Sequence, residues 1–483
     1  MQYKKHFSQQ PADWVLYDVM VDAYGNGDFA SIDEALNAAP DNDSHYVIYI
    51  RNGIYQERLD ITRANVHLIG EHRDNTVILG SCANGLIRLD GKIPGTYGSR
   101  IVNVDACGFS ATSLTIKNGF DYAANFTKAD SDPSKIVHTQ AVALLIGENG
   151  DKAEFKDVKL DSYHDTLYVS AGRSYFERCQ IMGTVDFIFG GGTALFYHCD
   201  IISRYRVGSL PDEVMGIIAA PCTPISQQFG LVFDHCRLTK ESQVPAASYA
   251  LARPWHPTTQ FDDVFYADPD AVGHCAYLNC EFDDHIAQWE NMSGRDINGN
   301  IQWFKAEQSR FFETCNQQYG MQRQALTAHR LDFEQVSKYT HHDILNQWQP
   351  HLCFAPQLSV ELQVCQPLMQ FPLQLTFLDR LGQRVTFSSD QFGYACVPVH
   401  TLTLPIIVEA HDIHQDITIH TILANIPTQA SPVELSLVTE VLTQQLVAQE
   451  FTKLKTLTHA PYIAKSVWDE VYHRTYVALR ELT

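Results

Sequence analysis

The stretch FKDVKLDSYHDTLYVSAGRSYFERCQIMGTVDFIFGGGTALFYHCDI, residues 155–201, repeats one short pattern three times. Each copy has an apolar residue, two variable residues, an apolar residue or a cysteine, one variable residue and another apolar residue. The copies begin at Phe155, Phe176 and Phe196, which are 21 and then 20 residues apart. A period of about 20–25 residues with alternating inward side chains is typical of the stacked coils of a β-solenoid.

The same pattern extends on both sides of this stretch, from about residue 100 to about residue 285. Later copies lie farther apart, so we expect loops inserted between coils. Leucine-rich repeats share the period, but their ladder of Leu and Asn is absent. The sequence therefore predicts an all-β fold, a parallel β-helix, over residues 1–350. The further copies are Ala111/Leu114/Ile116, Phe233/Cys236/Leu238 and Tyr277/Cys280/Phe282.

Both ends of the predicted solenoid differ from its repeats. Ser31 is placed to cap a short helix that runs through Ala39, and such a helix can cover the open end of a solenoid. Residues 286–350 are expected to form a loop-rich end.

The composition changes after Pro350. Residues 358–364 (LSVELQV) and 371–377 (FPLQLTF) alternate apolar and polar residues, and four short apolar runs follow. This pattern predicts a small β-sandwich-like module over residues 351–430. Ser431 and Pro432 suit an N-cap and a first helical residue, so residues 431–483 are predicted to be a helical C-terminal segment.

The composition limits the partners of the protein. Of 483 residues, 45% are hydrophobic and 19% charged, which is typical of a globular chain. The net charge of −21 argues against nucleic acid as a partner and would slow the encounter with a polyanion. A partly esterified or short acidic substrate fits this charge better. No apolar run is long enough to span a membrane, so no membrane association is expected.

The 12 cysteines include no CxxC pair and no zinc-like spacing. Several occupy the apolar repeat position, which favours buried, reduced thiols and a reducing compartment. The N-terminus has no apolar signal region, so a cytoplasmic location is expected. If the chain was trimmed, secretion or a periplasmic location is the alternative.

Two carboxylates, Asp165 in YHDTLYV and Asp186 in TVDFIFGGG, are 21 residues apart, which is the local period. Residues one coil apart in a β-helix stack at about 4.8 Å, so the two carboxyl groups should face each other. Two anions so close do not both ionise freely, and the pKa of one should rise. The pair would then supply an acid/base and a nucleophile.

Other side chains fit around this pair. Arg253 in YALARPWHP could hold a carboxylate through a bidentate contact, and Trp255 offers a flat face for a sugar ring. Gln140 in HTQAVALL precedes an apolar strand, where its amide could donate to a developing oxyanion.

Seven motifs in order mark a resemblance that covers roughly residues 14–350. The chain resembles the pectin methylesterase (pectinesterase) family, especially its bacterial members. The resemblance implies a right-handed parallel β-helix with neither metal nor cofactor. It also implies a carboxylic ester hydrolase that acts on methyl esters of galacturonate in pectin or methylated oligogalacturonides and releases methanol. The motifs are GNGDFASIDEAL, RNGIYQERL, TQAVAL, HDTLYV, TVDFIFG, LARPWHP and DDHIAQWENMSG.

By the same resemblance, Asp186 is the nucleophile, and Asp165 is the acid that protonates methanol and then the base that activates water. Arg253 orients Asp186, and Gln140 stabilises the oxyanion. The residues that match or neighbour sugar-contacting positions of the family are Tyr168, Phe187, Trp255, Trp289 and Met292.

Two positions depart from the pattern of the family. His164 stands immediately before Asp165, where the family usually has Gln. An imidazole can also donate to the oxyanion, and it would add a titration near pH 6–7. Ala252 stands where the family typically has Gly, at a place where backbone approaches closely.

Other functions remain open at this point. A carboxylate pair about 5 Å apart also suits a retaining glycoside hydrolase, and a lyase acting on polygalacturonate is a further β-helix enzyme. A non-catalytic sugar-binding relative is the third alternative. The segment after residue 350 could bind sugar, form a homo-oligomer, or cover one end of a cleft and restrict the enzyme to short oligomers.

Overall fold

The chain forms two compact units, which are described here from a computed structural model. The larger unit contains residues 21–45 and 50–349, and the smaller contains residues 1–20, 46–49 and 350–483. The structure describes residues 15–42, 44, 46–87, 91–210, 213–314, 316–318, 329–331, 333–348, 350, 357–364, 373–380, 382, 384–388, 394–398, 405–412, 417–423, 433–437, 462–464, 471–473 and 475.

The larger unit is a parallel β-helix, as predicted. Each complete coil contributes one strand to each of three parallel sheets. The first sheet consists of Gly53–Tyr55, Thr76–Gly80, Thr115–Asn118, Lys159–Asp161, Gln180–Gly183, Asp200–Ser203, Arg237–Lys240, Glu281–Phe282 and Gln317–Gln318. The second consists of Leu59–Ile61, Val102–Val104, Leu144–Ile146, Leu167–Val169, Val185–Gly190, Gly216–Pro221, Tyr249–Ala252 and Ile286–Gln288. The third includes Val66–Gly70, Ser110–Thr112, Ala153–Lys156, Arg173–Glu177, Thr193–Tyr197, Leu231–Asp234, His274–Leu278 and Arg310–Thr314.

Short helices and hairpins interrupt the coils. The predicted N-terminal helix begins at Ile32, where the Ser31 hydroxyl accepts a hydrogen bond from the Glu34 amide, and it ends at Asn37. Among the described residues, no helix is long and apolar enough to cross a membrane. The other helices are Gly95–Gly98, Tyr122–Thr127, Phe333–Val336 and His341–Ile344, with a 3-10 helix at Ala306–Gln308. The hairpins pair Thr258–Phe261 with Val264–Ala267 and Met292–Arg295 with Ile301–Phe304. Two further strands are Val19–Val21 and Tyr46–Ile50.

A ladder of aromatic rings fills the interior of the solenoid and explains the repeat. Phe155, Phe176, Phe196, Phe233 and Tyr277 occupy equivalent positions in successive coils. Neighbouring rings stack with centroids 4.6, 4.8, 4.6 and 4.5 Å apart. This spacing is close to the separation of parallel strands, so each ring packs on the next without displacing the backbone.

Four cysteines form a second ladder beside the rings. Cys179, Cys199, Cys236 and Cys280 are buried and free. Each thiol lies 3.3–3.5 Å from the carbonyl oxygen of the aromatic residue one coil earlier. The prediction of buried, reduced thiols is therefore confirmed for these four.

The two variable residues of the pattern form the turn between the third and first sheets. The second of them has a positive φ of 50–53° in all six copies of the pattern. This left-handed conformation lets a single residue change the direction of the chain, and its side chain stays outside the core. The six residues are Ser113, Asp157, Arg178, His198, His235 and Asn279.

Removing one ring from the aromatic ladder should destabilise the solenoid strongly. Phe196 is fully buried between Phe176 and Phe233, so Phe196→Ala leaves a cavity with rings on both sides. We expect a loss of about 3–5 kcal/mol in the free energy of unfolding, measured by urea denaturation. Ile54→Ala, at a side chain that is 61% exposed, should change it by less than about 0.5 kcal/mol. Equal losses in the two variants would contradict the ladder as the core.

The smaller unit contains two sheets and a separate strand pair. The predicted short strands of residues 351–430 are present where the structure describes them. One sheet is antiparallel, with the order Arg384–Ser388, Gln374–Asp379, Ile406–Asp412 and Ile417–Leu423. The other sheet has the order Tyr394–Pro398, Gln357–Val364 and Val433–Leu437. Val15–Tyr17 pairs with Tyr462–Ala464.

The predicted C-terminal helix is wrong at its start. Val433–Leu437 is a strand that pairs in parallel with Val360–Val364. Its sequence, VELSL, alternates apolar and polar residues, and this period of two outweighs the capping signal of Ser431 and Pro432. Residues 471–473 and 475 are helical, and residues 438–461 lie outside the described part.

Candidate active site

The structure brings Asp165 and Asp186 together on successive coils, at the start of neighbouring strands of the second sheet. The Asp165 amide donates to the Val185 carbonyl over 3.1 Å, and Tyr168 lies opposite Phe189. Carboxylate oxygens of the two aspartates lie within 4.8 Å of each other. Their side chains are 10% and 12% exposed, so both acids reach solvent while most of their surface is shielded.

Both aspartates have left-handed backbones, with φ of 62° at Asp165 and 49° at Asp186. Aspartate tolerates this conformation better than most residues. The register with the next strand also shifts between Val185 and Ile188, which marks a bulge at Asp186. Bulges re-aim side chains next to active sites, and here the bulge turns Asp186 outward.

The same bulge overturns one predicted sugar contact. Phe187 is 0% exposed, so it cannot touch a sugar, and that prediction is wrong. Its Cβ lies where a side chain on Gly183 would be, because an added Cβ there would approach within 2.3 Å. Gly183 therefore makes room for Phe187 inside the solenoid.

Arg253 holds Asp186 in the predicted bidentate contact. Its Nε donates to Asp186 Oδ1 over 2.9 Å, and its Nη2 donates to Asp186 Oδ2 over 2.5 Å. Burial opposes the charge of Arg253, but Asp186 outweighs that effect, and the pKa of Arg253 is raised. This contact requires Asp186 as a carboxylate and fixes the orientation of both oxygens.

His164 contacts the other acid. Its Nε2 lies 3.1 Å from Asp165 Oδ1, and its Nδ1 lies 3.5 Å from the Thr139 hydroxyl. Both ring nitrogens thus face protein groups, and this arrangement does not offer the predicted donor to an oxyanion. The imidazole instead lies within hydrogen-bonding distance of Asp165.

The pKa values of His164 and Asp165 are both raised. For His164, burial lowers the pKa. The charge and hydrogen bond of Asp165, together with the charge of Asp186, outweigh that effect, so the pKa is raised. For Asp165, burial raises the pKa, His164 lowers it and Asp186 raises it. Because both pKa values are raised, the arrangement favours a proton on the His164–Asp165 pair.

Gln140 lies beside the coil that carries His164, because the neighbouring Ala141 amide donates to the His164 carbonyl over 2.9 Å. The Oε1 atom of Gln140 is buried and, within the described part of the chain, has no hydrogen-bond partner. Its location suits the predicted oxyanion contact, and that role stays a prediction.

Three aromatic rings form an apolar wall beside the acids. Tyr168 stacks on Phe189 at 4.3 Å, and Trp255 meets Phe189 at 5.6 Å and Tyr168 at 6.2 Å. Tyr168 and Trp255 are partly buried, so each keeps a face for a sugar ring, whereas Phe189 is 4% exposed and supports both. The sequence analysis missed Phe189, although it follows Tyr168 by 21 residues, the same interval that separates the two acids.

The two remaining predicted contacts have different surroundings. Trp289 is only 5% exposed and stacks on Phe311 at 5.0 Å inside the solenoid, which does not support a sugar contact. Met292 is partly exposed on a hairpin, opposite Phe304. Phe304 stacks on His256 at 3.6 Å, next to Trp255 in the sequence, and the sugar contact of Met292 stays a prediction.

Comparison with known proteins identifies the family. A family model described as Pectinesterase matches residues 18–264. The chain belongs to the pectinesterase family. It is 51% identical over 326 residues to Pectinesterase A of Dickeya dadantii (strain 3937), covering 67% of this chain and 88% of that protein. Pectinesterases are carboxylic ester hydrolases, so the predicted enzyme class and family are confirmed.

Solved structures agree with this membership. The pectin methylesterase PemA from Erwinia chrysanthemi has a TM-score of 0.68 and 49% identity, over 70% of this chain and 99% of that one. The pectin methylesterase from Yersinia enterocolitica has a TM-score of 0.64 and 47% identity, over 66% and 99%. These comparisons give no support to the alternatives of a glycoside hydrolase or a lyase.

This pectinesterase accommodates its departure at Ala252 without strain. Ala252 is fully buried at the end of the strand Tyr249–Ala252, opposite Ala219. Its carbonyl accepts a hydrogen bond from the Glu290 amide over 2.9 Å. The alanine therefore keeps its strand pairing, and the next residue, Arg253, reaches Asp186.

Proposed function

We propose that this protein hydrolyses the C6 methyl esters of galacturonate and releases methanol, with Asp186 as nucleophile and Asp165 as acid and base. The observation that carries the proposal is the pairing of the two acids with different partners. Both oxygens of Asp186 accept hydrogen bonds from Arg253, whereas Asp165 lies 3.1 Å from the imidazole of His164. The two acids are therefore poised for opposite tasks.

In the first half of the reaction, an oxygen of Asp186 attacks the ester carbonyl carbon, and the carbonyl π electrons move to its oxygen. The amide of Gln140 is proposed to stabilise that oxyanion, because its neighbour Ala141 pairs with His164 on the next coil. When the carbonyl re-forms, the bond to the methoxy oxygen breaks, and Asp165 protonates the leaving methanol. Asp186 then carries the galacturonyl group as an anhydride.

In the second half, Asp165 takes a proton from water, and the hydroxide oxygen attacks the anhydride carbonyl carbon. The bond to Asp186 breaks, which restores its carboxylate beside Arg253 and leaves a free galacturonate carboxyl group. The proton that Asp165 took from water restores the His164–Asp165 pair, and the product carboxyl group releases its own proton to solvent, so the site is ready for a new ester. No redox partner is needed.

The substrate is proposed to be a methylated galacturonate chain. A solved pectin methylesterase that is 48% identical to this protein was crystallised in complex with a hexasaccharide. The partly exposed rings of Tyr168 and Trp255 give the present site surfaces on which sugar rings can stack.

A ladder of methylated oligogalacturonides of increasing length tests the function. We expect methanol release without any change in chain length, detected by gas chromatography and mass spectrometry of the products. Chain shortening would favour a glycoside hydrolase, and an unsaturated product would favour a lyase. Absence of all three products would favour a non-catalytic sugar-binding relative.

Replacing His164 should change the dependence of kcat on pH. The pKa of His164 lies above its ordinary value of about 6.5, because Asp165 outweighs the opposing effect of burial. Below that pKa, the His164–Asp165 pair holds a proton for methanol; above it the proton is lost, and kcat falls as pH rises. In His164→Gln the acid is a carboxyl group alone, so we expect this decline at lower pH.

The comparison uses pH profiles of kcat for the two proteins and for His342→Gln. His342 has a side chain that is 52% exposed, and its replacement should leave the profile unchanged. If His164→Gln also kept the wild-type profile, His164 would not titrate in catalysis.

A further inference from the structure

The side chain of Arg204 lies outside the acid pair and binds residues 161–163, the segment that leads to His164 and Asp165. The Nη1 atom of Arg204 donates to Asp161 Oδ1 over 2.8 Å and to the Ser162 carbonyl over 3.1 Å. Its Nη2 donates to the Tyr163 hydroxyl over 3.2 Å, and the guanidinium carbon lies 3.9 Å from the centroid of the Tyr163 ring. These three residues immediately precede His164, so Arg204 contacts the whole approach to the acid.

Arg204 reaches this segment from another coil. Asp161 lies opposite Met182, and Met182 lies opposite Ile202, so the residues near 204 follow two coils after Asp161. The Arg204 amide donates to the Gly183 carbonyl over 2.8 Å, which fixes its backbone on the intervening coil. The side chain therefore runs back across that coil and ties three consecutive coils together.

Arg204 is itself held in place by residues of later coils. Glu241 accepts a hydrogen bond from Arg204 Nε over 3.1 Å, and the Tyr249 hydroxyl donates to the Arg204 carbonyl over 2.5 Å. The Arg204 side chain is 15% exposed. A planar guanidinium with four hydrogen bonds and a ring contact has little freedom to move.

Residues 161–163 are also hydrogen-bonded to the chain that leads to the second acid, Asp186. The Tyr163 carbonyl accepts hydrogen bonds from the Thr184 amide over 2.5 Å and from the Thr184 hydroxyl over 2.8 Å. Thr184 stands two residues before Asp186. Asp165 and Asp186 both have left-handed backbones, and such conformations persist only where the surroundings fix them. A shift of Tyr163 would therefore move both acids.

We propose that Arg204 is a positioning residue that acts through Tyr163 and sets the spacing between the His164–Asp165 pair and Asp186. This inference rests on the proposed roles of the two acids. Arg204 does no chemistry; it keeps the proton-sharing contact and the nucleophile in register. Because catalysis is sensitive to shifts of about 1 Å, the loss of this grip should reduce kcat far more than substrate binding.

Arg204→Lys tests the inference, because lysine keeps the charge beside Asp161 but cannot stack on Tyr163 while donating in a planar fork. We expect kcat for methanol release to fall about 10- to 100-fold, with KM within about twofold of the wild type. Arg237→Lys is the matched control. Arg237 pairs with Asp200 over 2.8 Å on the same sheet, away from the acids, and its replacement should leave kcat unchanged.

A second readout is independent of turnover. The pKa of His164, measured by NMR in the full chain, depends on its contact with Asp165 and on the charges of Asp186 and Arg253. In Arg204→Lys we expect the pKa of His164 to move down towards its ordinary value, because the contact with Asp165 loosens. Wild-type protein that releases no methanol would overturn the proposed function, while this titration would still test the positioning role.

Unchanged kcat and unchanged His164 titration in a folded Arg204→Lys variant would overturn the inference. So would a loss of kcat that follows a loss of thermal stability while the titration of His164 stays at its wild-type position. If Arg204→Lys does not fold, Tyr163→Phe tests the inference instead, because it removes one hydrogen-bond acceptor of Arg204 and keeps the aromatic ring. A wild-type kcat and titration in that variant would also overturn the inference.

Discussion

Asp186→Asn should lower kcat for methanol release by at least about 10³-fold while the protein stays folded. An amide is a far weaker nucleophile than a carboxylate, so no anhydride with the galacturonyl group can form. The substitution also turns an NH2 group towards Arg253, which then loses one of its two acceptors. Both effects act on the chemical step. KM for methylated oligogalacturonides should change little, because the aromatic wall remains.

The matched control for this variant is Asp200→Asn. Asp200 also pairs with an arginine, Arg237, but it lies on the first sheet, away from the acids. Its replacement should keep kcat within about twofold of the wild type, as expected for a surface pair. More than about a tenth of wild-type activity in Asp186→Asn would exclude Asp186 as the nucleophile.

The parts of the site that follow the 21-residue period could be predicted from the sequence. A β-helix converts equal spacing along the chain into direct stacking, so the intervals between Phe155 and Phe176 and between Asp165 and Asp186 fix neighbours in space. The same rule would have found Phe189 from Tyr168. The spacing of the repeats therefore predicts both the β-helix and the neighbouring positions of the two acids.

What could not be predicted depends on local departures from that regularity. The bulge at Asp186 breaks the alternation of the strand, so Phe187 points inward and Phe189 supports the wall. A period of two counted from the outward Asp186 places Phe187 and Phe189 on the same inner face, which is correct for Phe187 and wrong for Phe189. The position of Trp289 inside the end of the solenoid likewise depends on packing with Phe311, which no short motif encodes.

The partner of an ionisable group is also invisible in the sequence. His164 was expected to face an oxyanion because a glutamine usually occupies that place in the family. In the structure its two nitrogens face Asp165 and Thr139 instead. Sequence position gives the coil on which a side chain lies, whereas the direction of the imidazole follows from contacts across coils.

Asp165→Asn should lower kcat on methyl esters by about 10²–10⁴-fold, the usual range for the loss of a general acid and base. An amide has no acidic proton to give to methanol, and it cannot take one from water. The two half-reactions need Asp165 in different forms, so an ester with a more acidic alcohol should separate them. Trifluoroethyl esters of oligogalacturonides suit this purpose, because their leaving group needs little protonation.

With those esters, Asp165→Asn should release a rapid burst of about one equivalent of trifluoroethanol per active site, followed by slow turnover. The burst arises because Asp186 can still attack, whereas the resulting anhydride waits for a base. Mass spectrometry of the stopped reaction should find the galacturonyl group on Asp186. Asp186→Asn should give no burst with either ester. If Asp165→Asn lost equal activity on both esters and gave no burst, Asp165 would be needed for more than proton transfer, and the division of roles between the two acids would fall.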